Sequence, residues 1–171
     1  MAFFYKNFLQ RILHTLPILL LFYFSLKDDN IFSIDFLNFF SFNFQYIIIY
    51  YWGLKNPRIL GYGYIFLAGI VTDVMLGLPM GISSLSFLVI ATLATYTRIV
   101  TVRISLLTDW FTFIPALLSA NLIYSIVLYN YEIPIDYIRL LISFIFTLII
   151  YPFAWVIFEM LRRLMRYQSN A

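Results

Sequence analysis

Charged residues are so sparse in this chain that they cut it into six long apolar blocks, and no other feature constrains the fold as tightly. A helix that crosses a bilayer needs about 20 mostly apolar residues. The blocks cover residues 8–26, 36–54, 61–78, 82–97, 110–129 and 138–161. They predict an all-α integral membrane protein, a six-transmembrane-helix bundle forming a single polytopic membrane domain over residues 1–171. The loops and ends left over are too short for a soluble domain. The first block has the apolar core of a signal peptide, but Ser25-Leu26-Lys27-Asp28-Asp29 offers no small-residue cleavage site, so it reads as a retained helix.

Composition closes off other classes. The 171 residues are 63% hydrophobic and 11% charged, whereas soluble domains average about 45–50% apolar and about 25% charged. A soluble globule could not cover so much apolar surface. The net charge of +3 is too small for a phosphate-binding face, so nucleic acid is not an expected partner. The chain has no Cys and one His, which removes disulfides, thiolate metal sites and a two-His site. No cofactor or metal is called for.

Placement of Lys and Arg sets the orientation. With the termini and the even loops on one side, that side holds Lys6, Arg11, Lys55, Arg58, Arg98, Arg103, Arg162, Arg163 and Arg166. The other side holds only Lys27 and Arg139, together with Asp28, Asp29, Asp35, Glu132 and Asp136. Both termini are therefore expected in the cytoplasm. Aromatic residues near predicted span ends, Tyr50, Tyr51 and Trp52 among them, read as interfacial belts. The loop Arg98–Asp109 alternates basic and apolar residues and is expected to lie along the inner surface or to dock a partner. Arg162, Arg163 and Arg166 are placed against anionic lipid. His14 reads as a packed or interfacial residue.

One segment carries more information than hydropathy. Gly69, Asp73, Gly77 and Gly81 are spaced by four, which on a helix places them near one face. Pro79 is expected to end the helix, leaving Gly81 to a turn. Small residues let a neighbouring helix approach closely, the main attraction available in lipid. Asp73 is taken as the one acid inside a span, and three roles stand open for it. It accepts hydrogen bonds within the bundle, with Asn121, Thr92 and Thr95 as candidate donors; it contacts a partner's helix; or it serves proton or ion transport.

Enzyme signatures are lacking. A lipid alcohol phosphotransferase needs several membrane acids for metal and phosphate, and Gly77 stands where a second Asp would be required. An intramembrane serine protease needs a Ser–His pair, and His14 is the only base on offer. No loop forms a phosphate cradle.

The segment resembles the rod shape-determining protein MreD family. The residues that carry the likeness are Asn56-Pro57-Arg58, Gly63, the Gly69/Asp73/Gly77/Gly81 series and Ala94-Thr95-Tyr96. The close match covers about residues 44–98, with length and short loops agreeing elsewhere. In many relatives a residue is expected between Pro57 and Arg58, which are adjacent here. The resemblance implies a non-enzymatic membrane subunit of the bacterial elongation machinery. Its implied partners are MreC and, indirectly, MreB, a RodA-type transglycosylase and a penicillin-binding transpeptidase. It also implies a fold similar to the substrate-binding subunits of energy-coupling-factor transporters. Gly63, Gly69, Asp73, Gly77 and Gly81 become candidate helix-packing or partner-contact residues. Pro57, Arg58, Arg98 and Arg103 become candidate cytoplasmic-loop residues. A vitamin-like substrate-binding subunit of a transporter is the competing reading, with Asp73, Ser83, Ser84, Ser86 and Asn121 available to line a small pocket.

Overall fold

A helix that is apolar on every side belongs in an interior rather than at a surface. Residues 46–54 form such a stretch, and in a computed structural model of the chain every one of them is buried. The structure describes residues 15–26, 43–101 and 105–170, with side chains through residue 163. Among these residues all regular structure is helical: α1 (Thr15–Leu26), α2 (Phe44–Lys55), α3 (Tyr62–Met75), α4 (Ile82–Val100), α5 (Leu106–Asn130) and α6 (Tyr137–Asn170). Among the described residues three stretches are long and apolar enough to cross a membrane: α4, α5 and Tyr137–Arg163 of α6. With 14 residues, α3 rises about 21 Å, short of the roughly 30 Å hydrocarbon layer.

The helix ends depart from the charge-bracketed blocks. Gly77 stops α3 after Met75, before Pro79 is reached. Charge alone does not stop a helix, so α4 continues through Arg98 to Val100 and α5 begins at Leu106. The expected surface loop Arg98–Asp109 thus shrinks to a short connection, and Asp109 joins the first turn of α5. Arg103 lies outside the described residues, as do Lys6, Arg11, His14, Lys27, Asp28, Asp29, Asp35 and the side chain of Arg166.

Close packing centres on α4, which lies against α2, α3 and α5. Glycine makes two of these approaches possible. A Cβ on Gly53 of α2 would stand 3.1 Å from the Ala94 methyl, and one on Gly69 of α3 would stand 2.3 Å from the Ser84 Cα. α2 then buries its rings against α5 and α6. Phe113 and Tyr151 stack at 4.3 Å with Tyr50 beside both, and Phe158 packs on Tyr51 and Trp52. The interfacial-belt reading of Tyr50, Tyr51 and Trp52 is therefore corrected, because all three are fully buried.

Pro152 interrupts α6. It has no N–H for the Leu148 carbonyl one turn earlier, and an unpaired carbonyl is costly at membrane depth. The Trp110 indole of α5 supplies the missing donor, with Nε1 3.0 Å from the Leu148 oxygen.

Candidate functional site

The glycine–aspartate series folds into the turn between α3 and α4. A left-handed residue is needed to close a helix with a Schellman turn, and glycine takes that backbone without a Cβ penalty. Gly77 has φ of +64°. The Gly77 N–H reaches the Val74 carbonyl at 3.3 Å, and the Leu78 N–H reaches the Asp73 carbonyl at 2.9 Å. The chain reverses through Pro79, and Gly81, with φ of +107°, leads into α4.

A new helix starts with unpaired N–H groups and a partial positive charge. The fully buried Asp73 carboxylate meets both needs. Its Oδ2 accepts from the Gly81 N–H at 2.7 Å and its Oδ1 from the Ser83 N–H at 2.8 Å. Asp73 thus caps α4 from the neighbouring helix. The donors named from sequence are engaged otherwise: Thr92 with the Leu88 carbonyl, Thr95 with the Ala91 carbonyl and the Tyr62 hydroxyl. Asn121 does not supply the bond either, since its Nδ2 is buried without a protein partner.

The series is therefore not one smooth helix face. Gly69 and Asp73 both point into α4, whereas Gly77 and Gly81 shape the turn, and a Cβ on either would meet nothing within 4 Å. Gly63 is different again: it is exposed on α3, also with open space around a Cβ. Two of the three serines named for a ligand pocket are spent on backbone carbonyls, Ser84 on Phe66 across the α3–α4 contact and Ser86 on Ile82. Asp73→Asn leaves one oxygen to accept and turns an amide donor toward a backbone N–H. It is expected to lower stability by about 1–2 kcal/mol. A thermal unfolding curve in detergent matching wild type would remove the cap from this account.

A second polar cluster, at the opposite end of the bundle, was not read from sequence. Lys55, the last residue of α2, places Nζ 2.9 Å from Oδ2 of Asp109, with both side chains about 95% or more enclosed. The Trp155 indole of α6 donates to the same Oδ2 at 2.7 Å, and Nζ lies 5.5 Å from the Trp155 ring centre. Next to it, Glu159 accepts from the Tyr51 hydroxyl at 3.0 Å and receives a two-pronged bond from Arg162 at 2.9 and 2.7 Å. Asp73 is thus one of three buried carboxylates among the described residues, not the only acid in the bundle. From sequence Asp109 closes the expected loop Arg98–Asp109, whereas Glu159 already lies inside the block 138–161, which the expectation of a single acid within a span overlooks. The faint signal was Trp155, whose indole N–H needs an acceptor when enclosed. Arg58 and Arg98 remain exposed, while Pro57 lies in the turn that joins α2 to α3.

Chemically, neither cluster presents a nucleophile with its base. Each uses its charge to join helices. Asp73 joins α3 to α4. Asp109 joins α2, α5 and α6.

The family model described as rod shape-determining protein MreD matches residues 9–164. No curated protein and no solved structure matches the chain.

Proposed function

The chain belongs to the rod shape-determining protein MreD family, and on that premise we propose that it is a non-enzymatic subunit of the machinery for lateral peptidoglycan synthesis. It crosses the bacterial inner membrane six times with both termini in the cytoplasm. It works through helix-face contacts with MreC, and through MreC with MreB, a RodA-type transglycosylase and a penicillin-binding transpeptidase. Its bundle is similar to the substrate-binding subunits of energy-coupling-factor transporters.

The family match over nearly the whole chain carries this reading. Three helices suited to a membrane support its location. Contacts that join the end of α2 to the start of α5 and to the second half of α6 gather Lys55, Arg162 and Arg163 at one end. Such an end belongs on the cytoplasmic side. Gly69 and Asp73 are occupied within the bundle, so the face of α3 around Gly63, Tyr64 and Leu67 is where a partner's helix would dock. Small residues at such a face allow close approach.

Co-purification from membranes through a C-terminal tag tests the reading. Wild type is expected to recover MreC and the synthases. Gly63→Leu is expected to cut MreC recovery at least about tenfold, a loss of roughly 1.4 kcal/mol or more, at unchanged thermal stability. Wild-type recovery of MreC with Gly63→Leu moves the docking face elsewhere. Failure of wild type to recover MreC overturns the proposal.

A further inference from the structure

Among the described residues, the contact between α5 and α6 has an unusual symmetry around Pro152. Two adjacent residues at the start of α5 hold α6 on either side of the proline. Trp110 donates its indole N–H to the Leu148 carbonyl, and Asp109 accepts the indole N–H of Trp155. On one side of Pro152 the bond secures the carbonyl that the proline orphans. On the other side it secures a side chain to a buried charge pair, Asp109 with Lys55.

The part of α6 beyond Pro152 faces the bundle with few residues. Ala154, Phe158 and Glu159 are buried, whereas Phe153, Val156, Ile157 and Met160 are exposed. α6 as a whole packs less extensively on α2 and α5 than α4 packs on its neighbours. The attachments of the part beyond Pro152 combine two polar bonds, Trp155 to Asp109 and the Tyr51 hydroxyl to Glu159, with the Phe158 ring packed against Phe44, Tyr51 and Trp52. The Lys55–Asp109 pair itself joins α2 to α5, so parting this part of α6 from the bundle would break only two polar bonds, the Trp155 indole to Asp109 and the Tyr51 hydroxyl to Glu159. A helix also bends most readily where proline has removed a backbone bond.

We infer that the segment of α6 beyond Pro152 is a hinged arm, held closed on the bundle by the Lys55–Asp109–Trp155 cluster. The helix continues to Asn170, so opening would shift the whole basic end of the chain relative to α2 and α5. The device does not depend on which partner the protein binds.

Distance measurement between spin labels tests this directly. The chain has no Cys, so labels attach only where they are placed. An inner pair, Ile99→Cys with Met160→Cys, reports the arm. An outer pair, Met80→Cys with Ile138→Cys, reports the rest of α6. All four positions are exposed. In nanodiscs the unmodified cluster is expected to give one narrow inner distance. The double variant Lys55→Met with Asp109→Leu removes the clasp without leaving an orphan charge, and Trp155→Phe removes only the indole donor. Each is expected to add a second inner population. Met160 lies about 12 Å along the axis from Pro152, so a swing of about 20° displaces it by about 4 Å. The outer distance stays unchanged, and adding Pro152→Ala restores the single inner distance. An unchanged inner distance overturns the inference. So does movement of both pairs together, or a second population that survives Pro152→Ala.

Discussion

Lys55→Met is expected to destabilise the folded chain by about 3–5 kcal/mol, because it leaves the Asp109 carboxylate enclosed with no cation. The side chains of Lys55 and Asp109 are only 5% and 2% exposed, so water cannot take the place of the missing partner. The Trp155 N–H alone remains on Oδ2, and one neutral donor does not balance a buried charge. Adding Asp109→Leu to Lys55→Met removes that charge. The double variant is expected to regain most of the loss, since apolar replacements of similar volume are often neutral or better. Thermal unfolding of the two variants in one detergent is the check. A double variant no more stable than Lys55→Met would show that the site needs the pair itself. A Lys55→Met protein as stable as wild type would show that Asp109 finds another partner.

Gly69→Leu is expected to cost about 3 kcal/mol or more, the upper end of overpacking losses. The reason is backbone, not side-chain, crowding. Even a Cβ would stand 2.3 Å from the Ser84 Cα, 2.5 Å from its N and 2.6 Å from its Oγ. The first two cannot rotate away, so α3 and α4 must separate. Separation would also strain the Ser84 bond to the Phe66 carbonyl and the Asp73 cap on Gly81 and Ser83. Gly69→Ala should already show part of the loss. Gly63→Ala serves as the reference on the same helix, with nothing within 4 Å of its new methyl. It is expected to leave stability unchanged or to raise it by up to about 1 kcal/mol through helix propensity. Equal unfolding temperatures for Gly69→Ala and Gly63→Ala would remove the close α3–α4 approach from the account.

These two sites differ in how far the sequence announced them. Four-residue spacing of Gly69 and Asp73 singled out the right segment, since that spacing aligns side chains on any helix. It also drew Gly77 onto the same face. Only the left-handed backbone at Gly77 shows that the helix has already ended. Spacing cannot distinguish a glycine kept for close approach from one kept for its φ. The donors to Asp73 were sought among side chains, whereas the turn delivers two backbone N–H groups. Backbone groups carry no sequence signature, so side-chain identity alone does not reveal them.

The second cluster shows the opposite limit. Lys55 ends α2 and Asp109 lies in the first turn of α5, where charges are normally solvated, while Trp155 and Glu159 lie one turn apart inside α6. Each looked ordinary by itself. Their burial follows from helix packing that brings α2, α5 and α6 together over a core of rings.

What the sequence determined by itself is the class of solvent and the class of fold. Long apolar blocks with so few charges leave helices as the local solution, because lipid offers no partner for backbone groups. The family match follows from the same residues. The tertiary structure alone decided which polar groups meet. It wrapped the residues of α2 on all sides, closed α3 at Gly77, aimed Asp73 at the start of α4 and enclosed Lys55 with Asp109. Hydropathy sums over a window and is blind to direction, whereas a hydrogen bond or a close glycine contact depends on direction and on tenths of an ångström.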